Sequence, residues 1–372
     1  ENYLSFALYS VCNQTLGDLE ILVVDDGSTD NSRKIAAHYA EKYSNLRLID
    51  MPENTPGGAG IPSNAGIDLA QGEYIGFVDS DDWVEPSMFK KMYSLAKKHD
   101  ADIVICDFNL FDEIKKEFEP AYDRKTWEKL TNKKVAAVSP KEQKYLLKLS
   151  PVPWRKIYRR DFVERFNIRY PEGDYFFEDN PLHWQALIHA SSCVLLDEVL
   201  CYHRNFREGQ TRNFAPERLL AFFDHFETVE KHLRDADLFE EYEVFFFEWI
   251  VRTDWIYKRV EGTAVEREMF LRFQAYLNRF PDSTLQAFIR DFKPSKSTLK
   301  RIENYRNGSP PTARAGAGDR PAASVGLKQK LPQRMVEVAE ELCSRFFQFL
   351  KSDRSGKAWP RLKTTSNDKR VP

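Results

Sequence analysis

Along the first hundred residues the hydrophobic pattern switches repeatedly between two periods. The β-branched run Leu19–Asp26 ends in carboxylates, and its length and composition suit a buried strand. From Asp30 to Tyr43 the apolar positions Ile35, Ala36, Tyr39, Ala40 and Tyr43 fall at helical spacing. Asn45–Met51 is strand-like again, Ser63–Ala70 is a short helical stretch, and Glu73–Val78 is a third strand that runs into Asp79. Pro86 occupies a helix-opening position ahead of Phe89, Met92, Tyr93 and Ala96, and Asp102–Asp107 forms a fourth strand. Strands alternating with helices predict an α/β domain, a parallel sheet with helices on both sides. Ligands of such sheets bind beyond the carboxyl ends of the strands, where the carboxylates of this chain lie.

Beyond that region the pattern changes. Residues 109–150 are highly charged and loosely periodic, an excursion with short helices. Order resumes over Pro151–Glu172, and Ser192–His203 reads as a strand or hairpin. Pro216–Arg290 is helical and rich in aromatic side chains, among them Phe222, Phe223, Phe226, Phe245, Phe246, Phe247 and Trp249. A stripe of that kind is the packing core of helices rather than a ligand box. Asn307–Val325, dense in Gly, Pro and Ala, reads as a linker, and Leu331–Lys351 as one amphipathic helix. The chain thus divides into a domain over residues 1–215, a helical extension over 216–294, and a linker, helix and tail over 295–372.

Composition adds one asymmetry. Of the chain's 55 Lys and Arg and 57 Asp and Glu, 17 and 7 lie from Ser295 onward, leaving 38 and 50 before it. An acidic body carries a basic tail, which either is a solvated linker or attracts an anionic surface such as lipid head groups; no nucleic-acid partner is expected. No apolar stretch approaches the roughly twenty residues that span a bilayer, and no signal peptide opens the chain. Five cysteines, Cys12, Cys106, Cys193, Cys201 and Cys343, show no C-x-x-C spacing, which suits a reducing compartment. The expectation is a cytoplasmic protein, with room for peripheral contact at the inner face of the cell membrane through the tail.

Two motifs carry chemistry. In Phe77-Val78-Asp79-Ser80-Asp81-Asp82 an apolar strand leads into a turn with aspartates at i and i+2, followed by Trp83 to Pro86 and a helix. Carboxylates so placed can hold Mg²⁺ or Mn²⁺ against a diphosphate; Ser80 or Asp82 can equally cap the next helix. In Val24-Asp25-Asp26-Gly27-Ser28-Thr29-Asp30 the glycine permits a sharp turn and the hydroxyls cap the following helix. Capping does not explain the adjacent carboxylates of Asp25 and Asp26, which can accept hydrogen bonds from a base or ribose.

These two strings, together with Asn64-Ala65-Gly66, Gly72 to Gly76 and the opening Tyr3-Leu4, Ser10-Val11 and Asn13-Gln14-Thr15, closely resemble family 2 glycosyltransferases of the GT-A fold. The resemblance covers about residues 1–208. It implies an inverting transfer of a sugar from a nucleotide-sugar donor, UDP being the commonest nucleotide, to a saccharide or lipid-linked acceptor, with Mn²⁺ or Mg²⁺ as cofactor. Carried over by position, Asp25 and Asp26 would serve the nucleoside, Asn64 and Gly66 would line the donor pocket, Asp79 would face ribose and metal, and Asp81 would coordinate the metal. Trp154 to Arg160 and Glu178-Asp179-Asn180-Pro181 also resemble bacterial members, which makes Asp179 the general base; an acidic pair at a helix N-terminus is the competing role. Tyr202 to Thr211 resembles a loop that closes over the diphosphate, with Arg204 and Arg207 as phosphate ligands and His203 as a further metal ligand or a structural histidine.

The chain departs from the family in three places. The expected opening strand, with its Pro-x-Tyr-Asn-like segment, does not precede the helix that begins near Glu1. Ser63 stands where the family often has Arg. No Gln-x-x-Arg-Trp string of processive synthases follows Gln185 or Gln274. Two rivals remain at this level: a non-catalytic relative that binds nucleotide sugars as a scaffold, and a Mg²⁺-dependent phosphohydrolase.

Overall fold

In the computed structural model, residues 1–132, 135–206 and 215–311 are described. The amphipathic helix expected over Leu331–Lys351, the basic tail and Arg207 lie outside them.

The elements of the first hundred residues follow the hydrophobic periods closely. In order they are α1 (Leu4–Cys12), β1 (Ile21–Asp25), α2 (Ser32–Lys42), β2 (Leu46–Asp50), α3 (Gly60–Leu69), β3 (Tyr74–Gly76), β4 (Trp83–Val84), α4 (Met88–His99) and β5 (Ile103–Asp112). There follow β6 (Glu117–Pro120), α5 (Arg124–Thr131), β7 (Val135–Val138), α6 (Pro140–Gln143), β8 (Lys156–Arg159), α7 (Arg160–Arg165), α8 (Asp179–His189) and β9 (Cys193–Asn205).

The strands pair in a mixed pattern. β1 and β2 form a parallel pair, Ile21 opposite Leu46 through Asp25 opposite Asp50. The other seven make one sheet in the order β3-β8-β5-β9-β4, with β6 added to β5 and β7 to β9. Within it β5 and β9 run parallel, while β8 is antiparallel to both β3 and β5. Sequential strands of the alternating region are therefore not all neighbours: β3 takes a partner from eighty residues downstream. The charged excursion over 109–150 contains a hairpin, β5 with β6, and the edge strand β7 besides its short helices.

The C-terminal helices are α9 (Ala221–Asp235), α10 (Phe239–Arg252), α11 (Trp255–Val260), α12 (Glu266–Leu277), α13 (Asp282–Phe292) and α14 (Lys296–Asn307). Every aromatic residue of the expected stripe is buried. One apolar core runs from Ile67 and Ile75 through Trp184 and Leu187 to Phe246, Trp249 and Tyr305, so the extension packs directly on α8. It also outlasts its expected end at 294, because α14 buries Ile302 and Tyr305 against the bundle.

Inside the body, Arg155 ties the sheet to α5. It is fully buried, donates to the Cys106 carbonyl at 2.7 Å and to Asp123 at 2.8 Å, and lies between the rings of Phe108 and Trp127. Asp107, whose pKa burial raises, shares its charge with Arg124 and Arg155. A buried cation so placed is destabilising to remove rather than strongly stabilising to have. Arg155→Met should therefore lower the unfolding free energy by about 3–5 kcal/mol, read from the urea midpoint. A loss within about 1 kcal/mol, the range of an exposed ion pair, would show that Asp107 and Asp123 do not rely on it.

Candidate active site

β3 ends at Gly76, and three residues later the chain presents Asp79 at the rim of the sheet. The backbone then turns, Asp82 N donating to Asp79 O at 3.1 Å, and brings Asp82 back under it. Asp82 is buried and has both oxygens engaged: Oδ1 accepts from Arg204 N at 2.8 Å, and Oδ2 lies 2.8 Å from His203 Nδ1. The His203 ring stacks on Trp154 at 5.4 Å, tilted by 13°. One ligand atom each from Asp79, Asp82 and His203 fall within 4.8 Å of one another.

The electrostatics of this rim are unbalanced. Burial and the neighbouring charges of Asp82, Asp81, Asp179 and Glu178 hold the Asp79 pKa well above the ordinary carboxylate range. Asp82 is raised by burial and relieved in part by His203 and the Arg204 amide. A hard divalent cation fits such a donor set, oxygen ligands with one imidazole nitrogen. Asp82, with both oxygens engaged, also orients the His203 ring through Nδ1.

Asp179 opens α8 beside this cluster. Burial and then Glu178 push its pKa up to about 7, against the opposing pull of Lys156 and His203. Lys156 lies in β8 and is buried; its ammonium reaches the Pro151 carbonyl at 2.8 Å and His183 Nδ1 at 3.0 Å. Burial brings the lysine down to about 7 and holds His183 well below its usual range, hence neutral. His183 stands one turn after Asp179 on the same face of α8.

Glu178 does something different from its neighbour. Its Oε1 accepts from Ala59 N at 2.6 Å, at the start of α3, where helix amides favour an anion. The acidic pair therefore splits: Glu178 joins two loops and Asp179 remains at the rim.

Several carried-over donor residues are held by contacts within the chain. Asn64 is buried and spent on the chain, its Oδ1 accepting from Tyr170 N at 2.9 Å and its amide donating to the Tyr170 carbonyl at 3.0 Å and to Glu172. Gly66 faces Val24 of β1, where an added Cβ would lie 3.6 Å from the valine methyl. Both sets of contacts lie around α3. Arg204 is likewise no exposed clamp. Its guanidinium is ion-paired with Glu113, donates to the Asp81 carbonyl at 2.9 Å, and sits over Tyr3, Phe6, Trp83 and Phe111. It fixes the metal-type turn from behind.

Asp81 stays at the rim, its charge felt by Asp79, but the carboxylate that gathers with Asp79 and His203 is Asp82. Asp25 is buried at the tip of β1 and accepts from Ser28 N at 3.3 Å. Asp26 accepts from Thr55 N and Thr55 Oγ1, both at 3.0 Å. Gly27 follows with φ +65, and a Cβ there would meet Asn54 N at 2.5 Å. These contacts hold the β1 tip against residues 53–55. Sequence reasoning missed Lys156, His183 and Asp82, whose side-chain partners lie 27 to 121 residues away and leave no local signal.

Residues 1–166 match the profile of glycosyl transferase family 2. The chain is 33% identical over 210 residues to the glycosyltransferase EpsJ of Bacillus subtilis strain 168, 55% of this chain and 58% of that protein. It is 31% identical over 245 residues to EpsH of the same strain, 65% of this chain and 68% of that protein. Against the poly(ribitol-phosphate) beta-N-acetylglucosaminyltransferase TarS of Staphylococcus aureus strain Mu50 it is 24% identical over 316 residues, 82% of this chain and 52% of that protein. The chain thus spans 58% of the length of EpsJ and about half that of TarS. Among solved structures, TarS 1-349 in complex with UDP-GlcNAc superposes with a TM-score of 0.63 at 20% identity, covering 82% of this chain and 86% of that one, a likeness of fold. The α/β architecture with its helical extension, the ordered motifs and the match over 68% of EpsH together make this chain a member of the family 2 glycosyltransferases, with the GT-A fold.

Proposed function

We propose that the chain is a metal-dependent inverting transferase. It moves a hexosyl or N-acetylhexosaminyl group from a UDP-sugar to a hydroxyl of a saccharide or lipid-linked acceptor, in polysaccharide or glycoconjugate synthesis. The observation that carries this reading is the pairing, on one rim, of a cation-type ligand set with a separate carboxylate, Asp179, whose pKa is about 7. The UDP-GlcNAc complex of TarS, a protein of the same fold, supports the choice of donor.

In this reading Asp179 accepts the proton of the acceptor hydroxyl as that oxygen attacks the anomeric carbon. The bond from that carbon to the diphosphate breaks, and its electron pair leaves with the nucleoside diphosphate. A base with a pKa near the working pH matches this task better than an ordinary aspartate. Asp79, Asp82 and His203, with Asp81 on the same rim, would hold Mn²⁺ or Mg²⁺; when bound, the cation supplies positive charge to the departing diphosphate. Asp25 and Asp26, at the tip of β1, stand on the side of the nucleoside.

Donor binding and chemistry separate experimentally. UDP-GlcNAc should raise the melting temperature more with Mn²⁺ than without it, and Asp79→Ala should remove the Mn²⁺-dependent part. An unchanged shift in that variant would end the metal role of the turn.

Asp179→Asn should keep the donor shift yet slow transfer by about 100-fold or more. The same variant tests the perturbed carboxyl itself. Asp179 keeps its proton up to about 7 in the folded chain, against about 4 when unfolded. Between these values the folded state binds more protons, so stability falls as pH rises through the window. Asp179→Asn escapes that loss: without metal it should be more stable than the wild type at pH 8 by about 1–3 kcal/mol and indistinguishable near pH 4. Equal melting curves at pH 8 would place Asp179 in an ordinary solvated setting.

A further inference from the structure

The loop that delivers Asp179 is held from the C-terminal extension by a buried histidine. His225, in α9, is fully buried, and its Nε2 lies 2.7 Å from the Phe176 carbonyl. Burial lowers its pKa to about 4, so at neutral pH the ring is uncharged and the carbonyl contact requires the Nε2–H tautomer. The next residue, Phe177, has φ +64, a left-handed conformation that is strained for a bulky side chain. Its ring is packed between Phe222 of α9, at 4.8 Å, and Trp255 of α11, at 5.8 Å. Arg218 covers Phe176 at 4.5 Å, and the Tyr175 ring leans on His225. From the other side Gly58 N donates to the Tyr175 carbonyl at 2.8 Å, and Ala59 N holds Glu178. A strained residue persists only where its surroundings over-determine it, and here most of those surroundings belong to the extension.

We infer that His225 is a positioning residue for the transfer reaction: by holding the Phe176 carbonyl it keeps Phe177 in its left-handed conformation and so sets the direction in which Asp179 leaves the loop at the start of α8. This rests on the reading of Asp179 as the base. The extension is then part of the catalytic apparatus without touching substrate.

The test compares His225→Leu, which keeps bulk and loses the donor, with His225→Gln, whose amide can reach the same carbonyl. Steady-state transfer to a saccharide acceptor from UDP-GlcNAc with Mn²⁺ is measured beside melting temperature. His225→Leu should lower kcat by about 10- to 100-fold, the range of a small misplacement of a reacting group, with the donor KM unchanged, and His225→Gln should recover most of the loss. Arg218→Ala, a surface change that leaves the core intact, should lower kcat by a smaller factor and covers the case in which His225→Leu does not fold. Wild-type kcat in both His225→Leu and Arg218→Ala, or equal losses in the Leu and Gln variants, would overturn the proposal. Asp179→Asn run in parallel separates the two ideas. If that variant still transfers sugar, the base lies elsewhere; if it is inactive while His225→Leu is not, the base stands and the clamp falls.

Discussion

The arrangement depends on like charges being kept together where protein would ordinarily separate them. Asp79, Asp81, Asp82, Glu178 and Asp179 share one rim, and their mutual repulsion adds to burial in raising Asp79. The chain meets this by dividing the carboxylates into two sets. Asp82 and Glu178 receive backbone amides, from Arg204 and from Ala59, and are thereby fixed. Among the described residues no backbone amide meets Asp79 or Asp179, and these two carry the electrostatic strain. On the proposed reading, a site that is unfavourable when empty of positive charge gains the most from binding a cation and the diphosphate it neutralises.

The scaffold under the rim avoids cancelling that strain too early. Lys156 is the nearest buried cation to Asp179 in electrostatic effect, yet its hydrogen bonds go to Pro151 and to neutral His183. Both Lys156 and Asp179 are brought to about 7, the lysine from above and the aspartate from below. A direct, tight ion pair would have held Asp179 ionised at low pKa and left it a poor base. Arg155, next to Lys156 in sequence, packs in the core and adds its charge to the lowering of Lys156, and Trp154 before it stacks on His203. Three consecutive residues thus serve His203, the core and the surroundings of Asp179 in turn.

What the sequence disclosed follows from which interactions are local. Hydrophobic periodicity is local, so β1, α2, β2, β3 and α4 could be placed within a few residues. Strand partners are not local: nothing around Tyr74 indicates that it pairs with Arg159. The strand ending expected at Asp107 extends to Asp112 because Asp107 is neutralised by Arg124 and Asp112 accepts from the amides of Ile114 and Lys115. Polar residues that read as a strand's end are here satisfied inside it. The same limit explains the site. The i, i+2 spacing points to Asp79 and Asp81, while the role of Asp82 is decided by His203, 121 residues further on. Arg204 read as a phosphate ligand because its type is right; its neighbours Glu113, Tyr3 and Trp83 come from three separate segments.

Position 215 marks a change of pattern but not a mechanical boundary. A helical appendage that merely followed a catalytic domain would meet it through a modest, polar interface. Here Trp184 of α8 packs on Phe246 and Trp249 of α10, and the apolar core continues without a break into α12 and α14. α8 begins with Asp179, so the helix that carries the proposed base has its buried face in the extension and its first residue at the rim. Any loosening of the bundle, by cavity or by truncation, is transmitted along one rigid helix of eleven residues to the carboxylate at its tip. With Asp179 as the proposed base, the aromatic packing of residues 216–294 serves the chemistry as well as folding: close-packed interiors transmit strain rather than absorb it, and small displacements are what a general base cannot tolerate.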